Sequence, residues 1–316
     1  MRTSLALLLL ALSGAPFLQA QSAATIEFDN GQWFDGNGFK RGTVYSVNGI
    51  LRYKKPTAIG QTVDLAGGYV VPPFGDADAR YSGTATLQLL SEGIFYALAQ
   101  DGPQAGSAAN TPQNVDVAFA GEPEQASRPD MIRILIGPNG TTASEATNIV
   151  LQSYAKKLRT VARIDSAADY RAAVAADVDL ILRLPNGALS KADAAQTARQ
   201  RIQVVTAGGT AETKAANLRL LKSARVELVL AGDGALATAR GEALQLHALG
   251  VFSNRELLKM WSEITPRAIF PTRRIGYLRD SYEASFVVLK QNPLKDFSAA
   301  VQQITHRFKK GRQLAL

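Results

Sequence analysis

Between about residue 69 and residue 270, short apolar runs alternate with amphipathic stretches, and this rhythm is what most restricts the folds open to the chain. The runs are Tyr69–Pro72, Ile94–Ala99, Val115–Ala120, Met131–Ile136, Thr160–Ile164, Asp179–Leu184, Ile202–Ala207 and Val226–Ala231. Short apolar runs rich in β-formers are the pattern of strands buried on both faces of a parallel sheet. Between them, Thr142–Lys157, Ser190–Arg201 and Ala211–Ala224 read as helices, and Thr142 with Glu145 three residues on has the form of a capping box. Strand and helix alternating through eight strands predict an α/β fold, a closed (β/α)₈ TIM-like barrel, with an open doubly wound sheet as the alternative.

The flanks have a different texture. Residues 25–66 hold short strands broken by the tight-turn pairs Asn30-Gly31, Asp35-Gly36 and Asn48-Gly49, and the final segment again reads strand, turn, strand. Neither can bury a core alone, so the two chain ends are expected to pair into one small composite β-domain. The expected division is a signal peptide over 1–20, the β-domain over 21–66 with 272–316, and the barrel over 67–271.

The signal-peptide reading rests on Arg2, the apolar run Leu5 to Leu12, and the small-residue site Leu18-Gln19-Ala20. It implies an exported protein, periplasmic or secreted. No later run approaches the roughly 20 apolar residues that a membrane span needs. With no cysteine in 316 residues, disulfides and thiolate metal sites are excluded. The net charge of +8 is scattered along the chain, and aromatics make up only 7% of it, which speaks against a nucleic-acid surface.

One stretch stands out chemically. In Val70-Val-Pro-Pro-Phe-Gly-Asp-Ala-Asp-Ala-Arg80 an apolar strand ends in charges at alternate positions, so strict alternation would put Asp76, Asp78 and Arg80 on one face. A solvated strand end is the other reading of the same residues.

This stretch, the βα rhythm and the closing Tyr282-Glu-Ala-Ser-Phe-Val-Val-Leu-Lys-Gln-Asn-Pro-Leu294 together resemble the amidohydrolase superfamily, and most nearly its imidazolonepropionase-like branch. In that family the first barrel strand ends in a Pro-Gly-Phe-x-Asp-x-His-x-His pattern. Here Asp76 matches, and Asp78 and Arg80 stand where the metal histidines would be. The resemblance further places Arg133 at the fourth-strand bridging position, Arg163 and Arg183 at the fifth- and sixth-strand histidines, and Asp233 at the surviving eighth-strand aspartate.

A catalytic zinc takes about three imidazole or carboxylate ligands and keeps an open position for water. Arginine offers no lone pair and stays charged, so Arg80, Arg133, Arg163 and Arg183 would repel a cation. The only histidines, His247 and His306, have no partner at ligand spacing and read as packing or surface residues. The expectation is therefore an amidohydrolase-like protein without a metal cofactor or metal-dependent catalysis. Its arginines and Asp76, Asp78 and Asp233 would form a cluster of charge near +1, either a structural plug of salt bridges with no further role or a site that takes an anionic small molecule. The alternative is an active zinc amidohydrolase that cleaves a C–N bond of a cyclic amide or peptide-like substrate, with Asp233 as its residual catalytic group. Gly137-Pro-Asn-Gly140 and Gly208-Gly209 are ordinary turns as readily as anion cradles. No phosphate loop, dinucleotide fingerprint or Ser/His/Asp set is present.

Overall fold

The computed structural model describes residues 25–81, 83–100, 110–123, 129–232 and 238–315. Eight parallel strands follow one another around a barrel: β6 (Phe74–Ala79), β7 (Ile94–Ala99), β8 (Asp116–Gly121), β9 (Met131–Leu135), β10 (Arg159–Arg163), β11 (Leu180–Ile181), β12 (Gln203–Val205) and β13 (Leu228–Val229). A second, mixed sheet runs in the order β16, β15, β14, β5, β1, β2, β3. Its members are β1 (Ile26–Phe34), β2 (Phe39–Val47), β3 (Ile50–Arg52), β5 (Tyr69–Val71), β14 (Phe286–Leu289), β15 (Ile304–Lys309) and β16 (Arg312–Gln313), with β4 (Gln61–Asp64) alongside β1. The composite domain built from both chain ends is thus present. Among the described residues no helix is long and apolar enough to cross a membrane.

The first barrel strand needs correction. Tyr69–Val71 pairs with β1 and β14 in the mixed sheet, while the barrel begins after Pro72-Pro73, at Phe74. Two prolines in succession remove two amide donors, so the apolar run cannot continue as one strand and passes from one sheet to the other.

Four successive helices share a local design. α2 (Ala143–Ala155), α3 (Ala167–Ala175), α4 (Lys191–Arg199) and α5 (Ala211–Ser223) start from Thr142, Ser166, Ser190 and Thr210, each in a reciprocal capping box with the residue three further on. Such a cap contributes about 1 kcal/mol by satisfying amides that the helix leaves open. Each helix is followed, two residues beyond its end, by a non-glycine residue in the left-handed region: Lys157, Asp177, Arg201 and Arg225, with φ between 57° and 62°. These turns lead into the N-terminal ends of the next strands.

After the eighth strand come α6 (Ala239–Ala248) and a long helix made of α7 (Asn254–Lys259), a π-turn (Met260–Ile264) and α8 (Thr265–Ile269). This helix crosses the N-terminal end of the barrel. Trp261 stacks on Phe74 at 3.8 Å, and Thr265 and Pro266 press so closely on Gly75 that a Cβ there would meet atoms at 2.8 and 3.0 Å. At the same end, a buried ion network joins the two domains. Lys309 of β15, 1% exposed, donates to Asp116 at 2.7 Å and to the Thr111 carbonyl at 2.8 Å, while Arg273 bridges Asp116 and Glu283 at 2.8 and 2.7 Å. Burial pulls the Lys309 ammonium below its ordinary pKa. Removing one partner of such a network leaves an uncompensated charge in the interior.

Closing the barrel falls largely to one side chain. Between β6 and β13 the backbone supplies a bond from Ala77 N–H to the Leu230 carbonyl at 3.2 Å, and Leu230 N–H turns instead to the Thr265 hydroxyl. Asp76 adds two bonds across the seam and one within β6: its Oδ1 accepts from Gly232 N–H at 2.9 Å and from Asp78 N–H of its own strand at 3.1 Å, and its Oδ2 accepts from Ala239 N–H at the start of α6 at 3.2 Å. Burial pushes this carboxyl up from 3.8 to about 6, against the pull of the three amides.

Two expected outcomes follow from these elements. Arg225→Gly should stabilise the protein by about 0.5–1 kcal/mol in urea denaturation, because glycine adopts positive φ without the Cβ clash; a loss of stability would show that the side chain matters more than the backbone. Asp76→Asn should destabilise it by about 1–3 kcal/mol, since the amide group cannot accept at both of its ends. Because the folded-state pKa is raised, protonation of Asp76 favours the fold, and its contribution is complete below pH 3.8 and falls as pH rises through about 6. The stability gap between wild type and Asp76→Asn should therefore be wider at pH 4 than at pH 7, and a gap that widens with pH would contradict the assignment.

Candidate functional site

The C-terminal ends of the strands hold most of the residues that the sequence singles out. They do not share one face as strict alternation would have it. Asp76 pairs with Ala97 and Ala79 with Ala99, so three steps of β6 oppose two of β7. This bulge, held by the Asp76 carboxylate on Asp78 N–H, shifts the phase of the strand. Asp78 remains buried, 4% exposed, and Arg80 emerges exposed beyond the strand end.

Three arginines lie on neighbouring strands, and each meets its own carboxylate. Arg163, the last residue of β10, reaches Asp78 of β6 with Nη1 at 3.4 Å from Oδ2, a contact between the fifth strand and the first. Arg133 of β9 donates from Nη1 to the Gln100 carbonyl at 2.9 Å and from Nη2 to Glu122 at 3.2 Å. Arg183, just past β11, lies 3.3 Å from Asp165 and packs on Gly208, where a Cβ would meet its Nε at 2.9 Å. Glu122 and Asp165 escaped the sequence reading. Their signal is positional: each lies within two residues of a strand's C-terminal end, where barrel ligands are placed. With them included, each of the three guanidinium groups has a carboxylate of its own within 3.4 Å. Asp233, expected here, lies outside the described residues.

The pairings are unequal in strength. Glu122 and Asp165 are 66% and 72% exposed, so their ion pairs are worth little and are screened by salt. Each of the three ion-pair contacts uses one guanidinium nitrogen, and Arg183 Nε is buried with no hydrogen-bond partner among the described residues. A buried donor without a partner carries a desolvation cost, and loosely held carboxylates beside it offset that cost only weakly.

A metal fits these residues poorly. Asp78 is engaged by Arg163, guanidinium groups lie on the neighbouring strands, and no group of three histidine, cysteine, aspartate or glutamate side chains among the described residues could hold an ion. His247 stacks against Phe297 at 5.6 Å and His306 against Phe308 at 6.2 Å, and burial holds His306 below the usual histidine pKa.

The Asp78–Arg163 pair joins opposite sides of the barrel, yet the arginine side chain is 36% exposed, so solvent limits its strength. A double-mutant cycle of Asp78→Asn with Arg163→Gln should give a coupling of about 0.5–1 kcal/mol in urea melts. A coupling indistinguishable from zero would make the contact incidental.

No family model matches the chain, and no curated protein sequence matches it. Solved structures do. The chain is similar to a crystal structure of an amidohydrolase, with a TM-score of 0.71 and 15% identity over 92% of this chain and 99% of the other. It is similar to an Xaa-Pro dipeptidase with methionine bound in the active site, at 0.75 and 11% over 93% and 100%. It is also similar to ochratoxinase from A. niger, at 0.74 and 15% over 92% and 95%. Identities this low speak for architecture and not for chemistry. On the eight-stranded barrel, the composite β-domain and these likenesses, the chain has the amidohydrolase fold.

Proposed function

We propose that this chain is an exported protein of amidohydrolase fold that binds a small oxyanion, a carboxylate or phosphate, at the barrel mouth, and that it does not carry out metal-dependent hydrolysis. The observation that carries this reading is the set of three arginines on adjacent strands, Arg133 within β9, Arg163 at the end of β10 and Arg183 just past β11, with Arg183 Nε buried and without a partner among the described residues. In this architecture ligands bind at the C-terminal face of the barrel. Guanidinium groups recognise planar or tetrahedral oxyanions through paired N–H donors. Where the resemblance calls for neutral imidazole, a permanent cation cannot hold zinc or lower the pKa of a bound water. Export rests on the leader-like first 20 residues.

The carboxylates already in the site help to define the ligand. Glu122 and Asp165, exposed and monodentate, occupy positions that a diffusible oxyanion with two oxygens would fill better. Asp78, buried, stays with Arg163 and sets the floor.

Thermal melts should show stabilisation by succinate or inorganic phosphate, reaching about 2.7 kcal/mol at a hundred times the dissociation constant. Arg183→Gln should remove most of it, and Zn²⁺, Mn²⁺ or Co²⁺ should produce neither a shift nor turnover of dipeptides or cyclic amides. If a metal raises the melting temperature, and Asp233→Asn abolishes both that rise and a hydrolase rate, the zinc-enzyme alternative replaces this reading.

A further inference from the structure

A second concavity lies at the opposite end of the barrel. A groove of about 1130 Å³ runs over the N-terminal ends of β10, β11 and β12, between α2, the turn after α3 and the end of α8. Its apolar wall is the C-terminal half of α2 with the turn behind it: Val150, Leu151, Tyr154 and Leu158. Leu151 and Tyr154 are 62% and 82% exposed, two of the five large hydrophobic side chains left open among the described residues. Single exposed apolar residues need no explanation, but two set together on one wall of a groove of ligand size do.

The charged groups lining the groove have one sign to spare. Of its four cations, two are engaged: Arg159 donates to the Ala268 carbonyl and to Gln203, and Arg267 donates to the Glu263 carbonyl and lies 4.6 Å from the Tyr277 ring. Lys157 and Arg201 are exposed and make no side-chain hydrogen bond or ion pair among the described residues. Both stand at the left-handed turn positions, anchored by backbone bonds to Tyr154 and Ala198, so their Cα positions are set by the helix ends. Of the two carboxylates, Asp179 accepts from the Thr160 amide and hydroxyl at 2.7 and 3.1 Å and lies 3.9 Å from Arg159, which leaves Asp177 as the carboxylate opposite Lys157 and Arg201.

We propose that this groove binds an amphipathic organic anion, an aromatic or medium-chain carboxylate or sulfonate, whose apolar body lies on Leu151 and Tyr154 and whose charged head sits between Lys157 and Arg201. Burying the two side chains removes apolar surface from water, and the head group supplies the charge complement that the groove lacks. The site is separate from the mouth, at the other end of the strands, and does not depend on the reading of the mouth as an anion site.

The test uses the whole protein and the anionic fluorophore 8-anilinonaphthalene-1-sulfonate, with decanoate as competitor. One saturable site is expected, with affinity reduced about tenfold in Leu151→Ser and about tenfold in Arg201→Glu, and unchanged in Arg163→Gln at the mouth. Both groove positions are exposed, and unchanged melting temperatures will confirm that the variants are folded. Displacement by decanoate but not by decanol supports recognition of the charge. Wild-type affinity in both groove variants, loss of binding in Arg163→Gln, equal displacement by decanol, or binding seen only on anionic lipid vesicles would each overturn the proposal.

Discussion

A parallel barrel has to bring its first strand beside its last, and here that closure runs through a buried carboxylate. β6 and β13 share the backbone bond from Ala77 to Leu230, and Asp76 adds bonds to Gly232 and to the first amide of α6. A carboxylate can do this because it accepts at two oxygens and favours a helix N-terminus, where amides are open and the dipole is positive. Burial raises its pKa to about 6, so the closure is made by a group whose charge is held at some cost. The same side chain holds the bulge that keeps Asp78 inside and lets Arg80 out. Much of the mouth's geometry follows from Asp76.

The other end of the barrel is held differently. There Lys309, Asp116, Arg273 and Glu283 join the composite domain to β8 and to the segment following α8. Lys309 has oxygen acceptors from Thr111 and Asp116 and almost no exposure, so its charge is compensated within the interface. A network of this kind contributes little beyond apolar packing of the same volume, but it penalises any arrangement in which one partner is lost. It thereby fixes how the two domains meet, while α8 and the π-turn fill the space beneath the strands. The mouth is left as the end where side chains remain available.

At the mouth the three ion pairs differ in burial. Arg163 has a buried partner, while Arg133 and Arg183 have exposed ones, and an exposed monodentate carboxylate is a weak competitor for a diffusible anion that can bind through two oxygens. Carboxylates set beside the three arginines lower their mutual repulsion.

By itself the sequence determined the features that are local or periodic. The apolar runs mark seven of the eight barrel strands, the Thr142 cap marks where α2 begins, and Asp35-Gly36 and Asn48-Gly49 mark turns of the β-domain, because each depends on neighbours a few residues away, whereas Asn30-Gly31, expected as a turn, is a bulge inside β1. The arginines on neighbouring strands were legible for the same reason, as residue types at strand positions. Their partners were not. Arg163 meets Asp78 across 85 positions, and Lys309 meets Asp116 across 193, so neither pairing exists until the barrel has closed and the chain ends have docked. The exit of Arg80 also belongs to the tertiary structure, since a two-residue alternation holds only while the strand has no bulge, and this bulge is built by a carboxylate recruited to the seam. Tyr69–Val71 went to the other sheet because two prolines end its pairing there. Periodicity reports which residues are buried; which surfaces bury them, and with what partner, was decided by closure of the barrel.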